Sequence, residues 1–151
     1  MTKIKQKYYK RLEQDLYNYK YLKLSIDNIK HDIADYERED GVGAIDFDRI
    51  QISSTNAFSS IVENATISNS EKLDYMEHCL HRVADRIAKI DIAMWELEAD
   101  ERIIVEEKYM NSKQWWQVAI RIRLSERQCR RITSEALRKM AVAIHGITAI
   151  E

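Results

Sequence analysis

Between residues 121 and 139 the chain carries seven Lys and Arg against two Asp and Glu. Wound as a helix, this stretch places Arg127, Gln128, Arg130, Arg131, Ser134 and Arg138 on one side. Cys129, Ile132, Ala136, Leu137 and Met140 fall on the other. Arginine can bind guanine through two hydrogen bonds and glutamine can do the same to adenine, so such a helix suits the major groove of duplex DNA. A solvated charged face produces the same pattern, and the arginines alone do not separate the two.

The elements just upstream favour the groove. Leu124 and Ser125 form a short turn in which Ser125 is expected to cap the following helix, with Glu126 in its first turn. Before the turn, a helix over residues 113 to 122 is expected to start at Asn111 or Ser112 and to bury Trp116, Ala119 and Ile120. Trp115 would then lie at the surface, because adjacent helical residues point about 100° apart. Arg121 and Arg123 stay in water, and Lys113 stands at the start of this helix, where phosphate contacts are made. Ahead of it, Asp100 opens an amphipathic stretch whose apolar face includes Ile103, Ile104 and Met110.

The run from Ser125 to Met140 reads Ser-Glu-Arg-Gln-Cys-Arg-Arg-Ile-Thr-Ser-Glu-Ala-Leu-Arg-Lys-Met. Together with Gln117-Val118-Ala119, it resembles the fourth conserved region of sigma factors, the part that reads the promoter −35 element. The resemblance covers Leu97 to Met140. It implies base or phosphate contacts from Glu126, Arg127, Arg130 and Arg131, with Cys129 and Ile132 buried. Arg123 departs from the pattern, since that family usually has glycine at this place in the turn. Nothing upstream resembles the aromatic-rich sigma region that melts the −10 element. A helical first part, a polar connector and a sigma-like last unit together are similar to small phage late-gene transcription regulators of the ArpU and RinA type.

Two long helices precede this unit. Tyr19, Leu22, Ile26, Ile29, Ile33 and Tyr36 recur in steps of three and four, which keeps one apolar stripe against a partner helix. The stripe extends back through Leu12 and Tyr8, interrupted by Asp15, so one helix over residues 3 to 38 is expected. Leu73, Met76, Leu80, Val83, Ile87, Ile90, Met94 and Leu97 keep the same rhythm without a break. Ser68 and Glu71 have the spacing of a capping box, which puts the start of this helix near residue 69 or 70. The two helices are expected to fold back on each other as a hairpin, or to pair between chains. In the hairpin, the basic start of the first would lie beside Asp85, Asp91, Glu96 and Glu98.

The connector from about 40 to 69, rich in Ser, Thr and Asn, is longer than a helical hairpin needs. Within it Phe58, Ile61, Val62 and Ala65 share a helical face after Asn56, as a short helix covering the open end of the hairpin would require. The expected fold is therefore all-α. A long-helix hairpin or coiled-coil domain spans residues 1–97, and a sigma region 4-like helix-turn-helix domain spans 98–151.

Composition agrees with this class. There is no proline, and there are only three glycines, so few residues break helices. The formal charge of −1 is a sum of unlike segments. Residues 1–30 carry eight basic against three acidic residues, and residues 31–107 carry seven against nineteen. Screening confines each charge to roughly 10 Å, so the basic segments can act on phosphates locally. Two cysteines without metal-ligand spacing, no secretory leader and no long apolar run point to a cytoplasmic protein with no membrane association, and the resemblance to phage regulators implies a bacterial host cell. His78, Cys79 and His81 do not form a zinc pattern. Tyr8, Tyr9, Tyr17, Tyr19 and Tyr21 among lysines are read as helix packing rather than as stacking on single strands. Since no catalytic frame is present, no enzyme activity, cofactor or metal is expected.

The expected function is sequence-specific binding of double-stranded DNA to regulate transcription of phage or mobile-element late genes, as a homodimer and with RNA polymerase as a further partner. Two rivals are a small terminase-like packaging protein and a coiled-coil interaction module.

Overall fold

In the computed structural model, residues 3–41 and 69–150 are described. They form six α-helices: α1 (Gln6–Tyr17), α2 (Tyr19–Gly41), α3 (Asn69–Trp95), α4 (Ala99–Val105), α5 (Trp115–Ile122) and α6 (Glu126–His145). A π-helical turn, Glu106–Met110, continues α4, and a 3-10 turn, Gly146–Ala149, follows α6. Among the described residues the only β pairing is an isolated antiparallel bridge between Ile4 and Ile150. The all-α expectation is met. Ser68 and the short helix around Phe58, Ile61, Val62 and Ala65 lie outside the described residues.

The single helix expected over residues 3 to 38 is two helices, joined at Asn18. The backbone ladder passes through the join, since Asn18 N–H donates to the Gln14 carbonyl at 3.0 Å and Leu22 N–H to the Asn18 carbonyl at 2.8 Å. What changes is the packing. The chain divides into two compact units, one of residues 1–25 with 83–151 and one of residues 26–82. Leu97 lies within the first of these units, and α1 belongs with the C-terminal helices.

The first unit holds the main core. Leu12 and Leu16 of α1 are buried with Ile90 and Met94 of α3, Val105 of α4, and Leu137 and Met140 of α6. Each such side chain contributes roughly 1.5–3 kcal/mol by leaving water, which makes α1 a structural part of this unit. Asp15, which interrupts the apolar stripe, faces Arg86 of α3, and the guanidinium Nε donates to Oδ2 at 2.8 Å. This reverses the expected polarity, because here the acid comes from the first segment and the base from α3. Of the four acids expected beside the first segment, Asp91 accepts a hydrogen bond from the Tyr19 hydroxyl, and Asp85 pairs within α3 with Lys89 at 2.8 Å. Arg102 closes the end of α3 by donating to the carbonyls of Met94, Trp95 and Leu97 at 2.9 to 3.1 Å, which satisfies groups a helix end leaves unpaired.

The second unit contains the end of α2 and the start of α3. Its stripe residues Ile26, Ile29, Ile33, Leu73, Met76 and Leu80 are all half-buried, as expected of a thin helical layer. Lys72, near the start of α3, stands 6.0 Å from the ring centre of Tyr36, near the end of α2, as antiparallel pairing requires.

Candidate nucleic-acid interface

Helix α5 is short, so its first residue decides which side is buried. Gln114 precedes it in extended conformation, and its N–H donates to the Gln117 side-chain oxygen at 2.9 Å. With the first turn fixed at Trp115, the inward positions are 115, 118, 119 and 122. Val118 and Ala119 are buried, and Trp115 and Ile122 pack against them. This corrects three expectations. Trp116 is 56% exposed and Ile120 is 69% exposed, while Trp115 is the ring that packs inward. Neither Asn111 nor Ser112 is the cap: Asn111 closes the π turn with N–H to the Glu106 carbonyl at 2.9 Å, and Ser112 has φ 53°.

The turn into α6 is Arg123-Leu124-Ser125. Arg123 takes the left-handed conformation, φ 58° and ψ 37°, and Leu124 N–H reaches back to the Ala119 carbonyl at 3.2 Å. This is the helix ending that glycine normally makes, so the arginine adopts the glycine geometry at a cost of about 1–2 kcal/mol. Ser125 then caps α6 as expected. Its Oγ accepts from Gln128 N–H at 3.2 Å, and its own N–H donates to Gln128 Oε1 at 3.1 Å. The Gln128 amide oxygen is thus engaged in starting the helix.

Along α6 the inward side carries Cys129, Ala136, Leu137 and Met140, all fully buried, with Ile132 half-buried against the smaller core around Ile104 and Val118. Burial pushes the Cys129 thiol pKa up. Thr133 is also buried, and its hydroxyl donates to the Cys129 carbonyl at 2.8 Å.

The outward side divides into two parts. In the N-terminal half Glu126, Arg127, Arg130 and Arg131 are exposed. Glu126 and Arg130 approach to 3.6 Å across one turn. Further along, Ser134 and Arg138 are half-buried and turned toward Tyr9 of α1, whose hydroxyl hydrogen-bonds with Ser134 and feels the Arg138 charge. Burial is the largest influence on Tyr9 and raises its pKa. These two positions therefore meet the protein itself, because α1 packs there.

The remaining cations lie at the two ends of α5. Lys113 is exposed, and its carbonyl accepts from Lys108 Nζ at 3.2 Å. Arg121 approaches the buried Glu107 at 3.3 Å, so part of its charge is met within the protein. Arg123 is exposed at the turn. Trp115, expected at the surface, instead joins this site: its ring has Lys108 Nζ at 5.1 Å and the Arg130 guanidinium carbon at 4.8 Å from its centre. The spacing of Trp115, Val118, Ala119 and Ile122, one helical face in steps of three, one and three, was the available signal. Among the described residues no three His, Cys, Asp or Glu side chains gather to hold a metal ion, and no helix is long and apolar enough to cross a membrane.

Fold and site together define an all-α protein in which a short helix, a tight turn and a longer helix present an arginine-bearing end. The chain belongs to the family described as protein of unknown function (DUF722), whose model matches residues 8–142. That span runs from α1 almost to the end of α6, and so includes both the core and the exposed arginines. No curated protein and no solved structure matches the chain.

Proposed function

We propose that the chain binds double-stranded DNA by sequence and regulates transcription, with α5 and α6 acting as a helix-turn-helix and the N-terminal half of α6 lying in a major groove. One observation carries this reading: Arg127, Arg130 and Arg131 are exposed on the first turns of α6, while the opposite side of the same turns is anchored by Cys129 and Ile132. A helix held from behind with exposed arginines at its leading end has the form that groove recognition needs. Arg123 and Lys113 are the cations suited to phosphate contacts on either side, and these supply affinity without sequence preference.

The resemblance to sigma region 4 and to ArpU and RinA type regulators supports phage or mobile-element late genes as the target, within the bacterial cytoplasm. In this reading the chain acts as a homodimer, and RNA polymerase is a further partner. The test is selection from a random duplex library, followed by immunoprecipitation of the tagged protein from cells across the genome. One enriched motif, recovered in both experiments upstream of an operon, is expected. Failure to bind duplex DNA even at low salt, where phosphate contacts are strongest, would overturn the proposal.

A further inference from the structure

We infer that Trp115 is a positioning residue that holds Arg130 ready to read a base, an inference that rests on the DNA-binding reading above. An arginine on a helix surface has many rotamers, and a base contact made with two hydrogen bonds requires the guanidinium plane in one of them. Arg130 is 57% exposed at its side chain, yet it has two restraints. Its guanidinium carbon lies 4.8 Å from the centre of the Trp115 ring, within the range of an attractive cation–ring contact. On its own helix the Glu126 carboxylate approaches Nη2 at 3.6 Å.

The ring is itself fixed from behind, because Trp115 packs against the buried cluster of Ile104, Val118, Ala119 and Cys129. Trp115 also lies beneath Lys108, whose Nζ stands 5.1 Å from the ring centre and donates to the Lys113 carbonyl at 3.2 Å. One indole thus connects the start of α5, the Lys113 loop and the leading turns of α6. An arginine already ordered in this way loses less freedom on binding, which raises its discrimination between bases.

The test compares Trp115→Leu with Trp115→Phe, which keeps a ring face. Without DNA, the Arg130 side-chain Nε–Hε resonance should lie away from the values of the other exposed arginines in the wild type. It should move toward them in Trp115→Leu and much less in Trp115→Phe. With DNA, base preference at the position lost in Arg130→Ala should fall by about 2- to 5-fold in Trp115→Leu, the scale of an exposed cation–ring contact. That preference is a ratio of affinities for two duplexes, so a smaller folded fraction cancels from it. In the Arg130→Ala background, Trp115→Leu should change it no further. An unchanged Nε–Hε resonance in Trp115→Leu, or equal losses on preferred and random duplexes, overturns the inference while leaving the DNA-binding reading intact. A wild-type protein without any base preference overturns both.

Discussion

Glu101 of α4 and Lys139 of α6 meet at 2.6 Å between Oε1 and Nζ, with the carboxylate side chain 8% exposed and the ammonium side chain 53% exposed. The other carboxylate oxygen accepts from Glu98 N–H at 3.1 Å, so the same residue starts α4 and ties it to α6. Lys139→Ala should therefore lower unfolding free energy in urea by about 1–2 kcal/mol, less than a fully buried pair would cost because half the lysine is in water. An equal or greater stability in the alanine variant would show that the pair contributes nothing to joining the helices.

Alkaline pH should weaken the first unit through Tyr109. Burial holds its hydroxyl well above the ordinary tyrosine range, reinforced by the 2.9 Å hydrogen bond it donates to Glu13. The folded state thus favours the neutral phenol. Its stabilisation is complete below the unfolded value of about 10 and declines as pH rises beyond that toward the folded value. Unfolding free energies measured from pH 7 to pH 11 should fall above about pH 10 in the wild type. The slope should be shallower in Tyr109→Phe, and identical slopes would contradict this origin.

Replacing Arg123 with glycine should raise stability by about 1 kcal/mol, because the residue occupies the left-handed region that glycine enters without steric cost. The same change should lower the slope of log affinity against log salt by about one if Arg123 meets a phosphate. Thermal unfolding and salt titration read the two effects separately. A destabilised Arg123→Gly would mean that the arginine side chain outweighs the strain of its backbone.

Arg130→Ala should cost about 1–3 kcal/mol on the preferred duplex and relax one base position, whereas Lys113→Ala should weaken all duplexes alike. Competition binding against single-base variants separates these patterns. If both substitutions lowered specific and random binding equally, Arg130 would be a phosphate contact and not a reader of sequence.

Trp116 and Met140, one exposed and one fully buried, should differ sharply in their effect on stability. Trp116→Ser removes an exposed ring and should change unfolding free energy by less than about 0.5 kcal/mol. Met140→Ala, at a fully buried position, should cost about 2–5 kcal/mol. A large loss at Trp116 would place that ring in an interface formed between chains.

Long periodic elements were the easiest to read from residues alone. The unbroken rhythm from Leu73 to Leu97 identified α3, which opens at Asn69, where the start was expected. Ser125 was legible as a cap because its partner Gln128 lies three residues away, within the same local chemistry. Helix α5 was misread because eight residues hold too few apolar repeats to fix the buried face, and a shift of one residue turns it by about 100°. The misreading put Trp116 where Trp115 belongs. The placement of α1 escaped for another reason. Its stripe through Tyr8 and Leu12 continues into that of α2, and nothing in that rhythm reveals that Leu12 and Leu16 serve a different core, fully buried beside α6 residues. Contacts so distant along the chain leave no local periodicity. For the same reason Ser134 and Arg138 looked exposed: the helix that covers them lies at the other end of the sequence.

Lys5 N–H donates to the Ala149 carbonyl at 2.9 Å, beside the bridge between Ile4 and Ile150. The apolar side of α1 thus leaves the ribosome well before α6, whose Ala136, Leu137 and Met140 complete the core around it. Pairings of such long sequence separation form slowly, because the loop between them must close before any contact rewards it. Until α6 is made, Leu12 and Leu16 lack part of their cover and are open to chaperones, and a molecule cut short before α6 carries this core unfinished.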